Sequence, residues 1–199
     1  DAAKSALAGT LDAELEQIAA LASHPRVRAI GETGLDYFRT GEEGREGQHA
    51  SFRAHLAIAA QHGLAVQIHD RDAHEDVIRV LREERFDGPV VFHCFSGDTS
   101  MARIAREEGW YLSFGGTATF KNSDELRAAL ALTPADRLLV ETDAPFLTAA
   151  PYRGRPNAPY LIPLAVRAVA DHRGDDLEGL CHALRANTER VYGSFSDAR

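Results

Sequence analysis

The stretch Val140-Glu-Thr-Asp-Ala-Pro145 puts two carboxylates directly after an apolar run and ends it with a proline. Proline has no backbone N–H to donate to a sheet, so a strand is expected to stop before it. Residues at the carboxyl ends of parallel strands face the functional side of an α/β barrel. The stretch therefore predicts a strand over residues 137–141 that presents Asp143 at the mouth of a barrel.

Three other apolar runs end in a polar residue of a kind that binds metals. Strands are predicted over residues 27–32, 64–69 and 90–94, each bounded by glycine, proline or charge. Helical segments separate these strands, so parallel pairing would bring their carboxyl ends to one rim. Together with Asp143, the polar residues at these ends are Glu32, His69 and His93. Imidazole and carboxylate ligands in one site suit zinc, manganese or iron.

The rest of the chain alternates predicted helices with strands. Thr10 is expected to cap a first helix whose buried stripe is formed by Leu11, Leu15, Ile18 and Ala22. A polar loop is expected over residues 33–47. Further helices are predicted over residues 48–62, 99–108, 123–132, 159–172 and 176–192, and further strands over 111–115 and 137–141. With no linker in the sequence, residues 1–199 are expected to form one domain.

The composition is that of an ordinary globular protein, with 44% hydrophobic and 26% charged residues. No apolar run approaches the roughly 18 residues of a membrane span, so no membrane partner is expected. Two cysteines are too few for a disulfide framework, which favours the reducing cytoplasm. The formal net charge of −8 argues against a broad basic surface for duplex DNA. Bound metals and a few local arginines would have to supply any positive field.

Five phrases occur in the order and at the spacing of one protein family. They are Gly-Glu-Thr-Gly-Leu-Asp (31–36), Ile-His-Asp-Arg (68–71), Phe-His-Cys-Phe-Ser-Gly (92–97), Glu-Thr-Asp-Ala-Pro (141–145) and Arg-Gly-Arg-Pro-Asn-Ala-Pro (153–159). The chain thereby resembles the TatD family of metal-dependent deoxyribonucleases over essentially its whole length. The resemblance implies a TIM (β/α)8 barrel that hydrolyses phosphodiester bonds of DNA. It further implies two divalent cations (magnesium, manganese or zinc), a metal-bound water as the nucleophile, and cleavage from the 3′ end of single strands.

The chain departs from the family pattern at its start. The family's barrel opens with a strand bearing a His-x-His pair, and the sequence contains no such pair. Five strands are predicted where the family has eight, and a complete barrel typically needs about 250 residues against the 199 present. The chain is therefore expected to lack about the first three strands of the barrel.

The resemblance implies roles for the four strand-end residues. Glu32 would bridge the two cations, although a glutamate after a strand is more often a cap or a solvated residue. His69 and His93 would bind the second cation, where the plain alternative is a histidine satisfied by a backbone carbonyl. Asp143 would contact the first cation and accept a proton from the attacking water. Glu141 is expected to point to the same side of its strand as Asp143 and to be a structural acid.

Four further residues are candidates for holding substrate. Arg71 and Arg153 could offer paired donors to phosphate oxygens, although most arginines are simply solvated. Asn157 shares a loop with Arg153, and the corresponding loop lines the substrate cleft in the family that the chain resembles. Ser96 could reach the same cleft. The expected partner is DNA, single-stranded, with RNA as a further possibility.

Two alternatives to a nuclease stay open on sequence grounds. A hydrolase with the same scaffold could act on an ester or amide, such as an aminoacyl-tRNA deacylase, and comparing turnover of DNA with that of charged tRNA would separate the two. A non-catalytic binding module is the other alternative, and it predicts that no metal is bound.

Overall fold

The computed structural model describes residues 2–194, an alternation of helices and strands that divides into two compact units. Unit 1 runs to Val91 and includes the chain again from Tyr192, whereas unit 2 spans Phe92–Val191. The prediction of one domain over residues 1–199 stays a prediction, and residues 1 and 195–199 lie outside the described part. No described helix is long and apolar enough to cross a membrane.

Unit 1 is built on two parallel strands and four helices. The elements, in chain order, are α1 (Ala2–Ala8), α2 (Leu11–Ala22), β1 (Ala29–Asp36), α3 (Glu42–His62), β2 (Ala65–Arg71) and α4 (His74–Glu84), followed by the start of β3 (Val90–Phe92). The strand order is β1-β2-β3. Fully buried side chains from β1, β2 and α3 form the core of this unit, including Leu35, Val66, Ile68, Phe52 and Leu56.

One glycine allows β1 to lie against the functional end of β2. Gly34 is opposite His69 in the parallel register and has a φ of +140°. A Cβ on Gly34 would lie 2.1 Å from the carbonyl oxygen of His69, far inside contact distance. Only a residue without a side chain fits this approach.

Unit 2 contains the end of β3, two further strands and four helices. Its elements are α5 (Thr99–Glu108), β4 (Tyr111–Phe114), α6 (Asp124–Leu132), β5 (Leu138–Val140), α7 (Ile162–Arg173) and α8 (Leu177–Tyr192, whose last residue belongs to unit 1). The strand order is β3-β4-β5, and β4 pairs parallel with β5. Asp98 caps α5 by accepting the backbone N–H of Met101 at 2.9 Å. The predicted α/β class with parallel strands is confirmed.

Two local predictions are wrong for reasons of packing. The loop predicted over residues 33–47 is much shorter in the structure. Strand β1 continues to Asp36, and helix α3 already begins at Glu42. Gly47 was expected in the loop but lies within α3. A Cβ at this position would be 2.4 Å from the Cβ of Ala6 in α1. The missing side chain of Gly47 therefore allows α1 to pack closely against α3.

The stripe predicted for α2 is only partly buried. Ala22 is buried, whereas Leu11, Leu15 and Ile18 stay half exposed. Thr10 also does not cap the helix as predicted, because its hydroxyl donates to the Glu14 carboxylate at 2.9 Å.

Candidate metal site

In unit 2, three potential ligands lie together. His93 follows β3, and Glu141 and Asp143 follow β5. One ligand atom from each lies within 4.8 Å of the others, and all three residues are half-buried. An imidazole and two carboxylates at this spacing match the donor set of zinc, manganese or iron sites.

Asp143 lies in a turn that directly follows β5. The N–H of Glu141 still donates to the carbonyl of Phe114 at 3.1 Å, which continues the ladder with β4. Asp143 then takes a left-handed conformation with a φ of +56°. Aspartate is among the few residues enriched there. The N–H of Phe146 donates to the carbonyl of Asp143 at 2.8 Å and closes the turn.

A buried asparagine holds the turn that follows β5. The side-chain amide of Asn157 donates to the carbonyls of Thr142 at 2.5 Å and Phe146 at 2.6 Å. Its side-chain oxygen accepts the N–H of Ala158 at 2.9 Å. Asn157 is 8% exposed, so its visible role is to position the turn that carries Asp143. The substrate contact predicted for it stays a prediction.

Glu141 lies where it can orient His93. Its Oε1 is 3.3 Å from Nδ1 of the imidazole, and the two side chains are 19% and 14% exposed. Donation of the Nδ1 proton to this carboxylate would fix the tautomer that carries its lone pair on Nε2, which is a form in which histidine binds metals. The sequence did not identify a partner for this histidine.

A second group lies in unit 1, where Glu32 and Asp36 belong to β1 and His69 belongs to β2. Nδ1 of His69 is 3.6 Å from Oε2 of Glu32, and Nε2 is 3.2 Å from Oδ2 of Asp36. The Glu32 side chain is 56% exposed, whereas that of Asp36 is 16% exposed. The exposed carboxylate of Glu32 is thus accessible to a cation, while the less exposed carboxylate of Asp36 can orient the imidazole ring.

Asp36 and the residue that holds its backbone, Gln48, were not predicted as parts of the site from the sequence. Gln48 of α3 is buried, and its side-chain oxygen accepts the N–H of Asp36 at 3.0 Å. Its amide donates to the carbonyl of Asp36 at 3.2 Å and to Thr40 Oγ1 at 2.7 Å. Extending the predicted strand by four residues would have reached Asp36, because residues 32, 34 and 36 lie on the same face of a strand.

The remaining candidates are distributed over both units. In unit 1, the guanidinium of Arg71 lies over the ring of Phe38 at 3.8 Å. In unit 2, that of Arg153 lies over Phe120 at 3.9 Å, and Ser96 is exposed. Their contacts with substrate stay predictions. The convergence of Glu32, His69, His93 and Asp143 on one site also stays a prediction, because it involves both units.

The chain matches a family model described as TatD related DNase over residues 4–193. It is 43% identical over 192 residues to the uncharacterized metal-dependent hydrolase TatD of Mycobacterium tuberculosis, covering 94% of this chain and 72% of that protein. It is 37% identical over 180 residues to the uncharacterized metal-dependent hydrolase YabD of Bacillus subtilis, covering 90% and 70%.

Solved structures share the fold. The TatD homologue YjjV of Escherichia coli matches with a TM-score of 0.86 at 28% identity, over 92% of this chain and 71% of that one. A TatD family hydrolase of Entamoeba histolytica matches with a TM-score of 0.75 at 24% identity, over 84% and 64%. These likenesses confirm the fold class predicted from the sequence.

Proposed function

The chain belongs to the TatD related DNase family and is a metal-dependent hydrolase of that family, and we propose that it cleaves phosphodiester bonds of DNA. The proposed reaction is stepwise removal of nucleotides from the 3′ end of single strands, with RNA as a further possible substrate. The observation that supports it is the compact group of His93, Glu141 and Asp143 in unit 2.

Two divalent cations are part of the proposal. Glu32 and His69 would be their ligands on unit 1, and His93 and Asp143 would be their ligands on unit 2. When bound, such cations polarise a phosphoryl oxygen and make water a nucleophile near neutral pH. Magnesium, manganese and zinc are the proposed candidates.

The protein's own residues position and deprotonate the reactants. Asp143, which has a left-handed backbone conformation, accepts a proton from the attacking water at its carboxylate. Glu141 and Asp36 lie within hydrogen-bond distance of the imidazoles of His93 and His69, where each would favour one tautomer of its ring. Arg71 and Arg153 bind the phosphate oxygens, which matters in a chain with a net charge of −8.

The proposed location is the cytoplasm. The support is compositional, because Cys94 and Cys181 are the two cysteines of the sequence and are too few for the disulfide framework common in oxidising compartments.

Asp143→Asn tests the proposal. Asparagine also tolerates a positive φ, so the fold should stay intact. Hydrolysis of a 5′-labelled single-stranded oligonucleotide, followed on a sequencing gel, should fall by about 10²–10⁴-fold. Asp171→Asn, at an exposed position on α7, serves as the matched control.

Three outcomes would contradict the proposal. Retained cleavage in the Asp143→Asn variant would remove the role assigned to this carboxylate. Turnover of aminoacyl-tRNA without turnover of DNA would replace the nuclease with a deacylase. Failure of the protein to bind manganese or zinc in equilibrium dialysis would favour a non-catalytic module.

A further inference from the structure

A cleft of about 550 Å³ opens in unit 2 between residues 145–148 and 153–156. Its volume lies in the range of roughly 300–1,000 Å³ that is usual for small-ligand sites. It begins two residues after Asp143, and the hydrogen bond from the N–H of Phe146 to the carbonyl of Asp143 joins the two features. A molecule in this cleft would therefore lie beside the proposed metal ligand of unit 2.

The cleft presents aromatic surface to solvent. The side chain of Phe146 is 68% exposed and that of neighbouring Tyr152 is 43% exposed. Exposed aromatic surface next to polar groups is typical of a binding site, because leaving a phenyl ring in water costs free energy. A planar apolar partner would remove that ring from water.

Two arginines supply positive charge at the same place. The guanidinium carbon of Arg153 lies over the ring of Phe120 at 3.9 Å from its centroid, and that of Arg155 lies 6.0 Å from the ring centroid of Tyr152. Within residues 2–194, neither guanidinium forms an ion pair with a carboxylate. In a chain of net charge −8, two such cations in one cleft favour an anionic ligand.

Hydrogen bonds hold the two walls of the cleft together. The hydroxyl of Thr148 donates to the carbonyl of Arg155 at 2.5 Å, and the amide of Asn157 donates to the carbonyl of Phe146 at 2.6 Å. The N–H of Ala150 donates to Thr119 Oγ1 at 2.8 Å. A wall fixed in advance loses less entropy when a ligand binds.

We propose that this cleft binds one unpaired nucleotide of a single-stranded nucleic acid, with its base on the ring of Phe146 and its phosphate at Arg153 and Arg155. Every base offers a flat face to an aromatic ring, so such a subsite tolerates any sequence but requires the base to be unpaired. The inference rests on the proposed nuclease function and adds to it the reason for a single-stranded substrate.

Binding to a hydrolysis-resistant probe tests the subsite separately from catalysis. The probe is a fluorescein-labelled, phosphorothioate-linked oligodeoxythymidine, measured by anisotropy with the metal-loaded protein. Phe146→Ala should weaken binding by about 5- to 150-fold, the effect of losing one base stack. Tyr160→Ala is the matched control, because Tyr160 is 79% exposed and does not line the cleft.

An abasic probe of the same length and charge identifies what the ring contacts. Its affinity for the wild-type protein should be as low as the affinity of the normal probe for Phe146→Ala. The Phe146→Ala substitution should not lower the affinity for the abasic probe any further. Phe146→Leu keeps apolar bulk without a flat ring, and we expect it to behave like Phe146→Ala. Equal binding of the two probes by the wild-type protein would overturn the proposal.

The arginines are tested by salt dependence. Arg155→Gln should lower the slope of log K against log salt by about 0.7 for each lost phosphate contact, whereas Arg103→Gln, on the exposed face of α5, should not. An unchanged slope in Arg155→Gln would contradict the phosphate contact.

The two proposals fail in distinguishable ways. Base-dependent binding without any DNA hydrolysis would refute the nuclease and retain the subsite. Hydrolysis with the same KM for wild type and Phe146→Ala, on normal and abasic DNA alike, would retain the nuclease and refute the subsite.

Discussion

Replacing Gly34 with alanine should be among the most damaging single changes in unit 1. The new Cβ would lie 2.1 Å from the carbonyl oxygen of His69, where ordinary contact begins at 3.4 Å, and a φ of +140° is rarely adopted by residues with a side chain. Backbone strain of this kind costs about 1–3 kcal/mol. Overpacking against a neighbouring strand costs about 1–3 kcal/mol more. We therefore expect a loss of about 4 kcal/mol, a large part of the roughly 5–15 kcal/mol that stabilises a typical domain.

Gly63→Ala is the matched control, because it introduces backbone strain at a positive φ without a steric clash of the new Cβ. Gly63 ends α3 with a φ of +62°, and a Cβ there would have nothing within 4 Å. Its loss should be limited to about 1–2 kcal/mol, the cost of the left-handed conformation. The comparison of the two variants isolates the close approach of β1 to β2.

Urea unfolding followed by far-ultraviolet circular dichroism is the suitable assay. Dichroism reports on both units, whereas Trp110, the single tryptophan, lies in unit 2. The midpoint should fall much further for Gly34→Ala than for Gly63→Ala at an unchanged slope. Equal midpoints for the two variants would refute the steric reasoning.

Three further predictions concern residues that hold others in place. Asn157→Ala should cost about 2–4 kcal/mol in urea unfolding, because it leaves two carbonyls without their donor; a loss below 1 kcal/mol would contradict this role. Glu141→Gln should weaken manganese binding about 10–100-fold in calorimetric titration, since the imidazole of His93 loses its carboxylate; unchanged affinity would oppose it. Burial and the hydrogen bond to Asp76 raise the pKa of Tyr37 to about 12 from 10.0, so the stability it contributes should be complete below pH 10 and lost as the pH rises toward 12. Tyr37→Phe should flatten that alkaline fall in melting temperature, and an identical pH profile would refute the link.

The strands and their order along the chain could be predicted from the sequence because apolar runs bounded by glycine, proline or charge are a local signal. Helix α5 is found over the predicted residues for the same reason. The start of α3 could not be predicted, because Gly47 is placed in a helix by its contact with α1, which is remote along the chain. The apolar residues of α2 show a related difficulty. Their helical spacing correctly predicted a helix, but it could not show whether another element packs against the apolar face.

The candidate site was predictable to the extent that its proposed ligands lie on strands or just after them. Glu32 and His69 were expected at neighbouring strand ends, and the structure places them 3.6 Å apart within unit 1. The partners that orient the imidazoles were not found, because Gln48 reaches Asp36 from a helix that begins after the strand. Such hydrogen bonds depend on tertiary packing and have no periodic signature.

The side chain of Asn157 joins two carbonyls, that of Thr142, next to Asp143, and that of the exposed Phe146. A movement of one end of this bridge should move the other, so the proposed catalytic carboxylate and the proposed base-binding ring should be mechanically coupled. An attempt to change the substrate specificity would therefore have to replace residues 142–157 together. Natural variation in the segment should likewise come as correlated exchanges and not as independent ones.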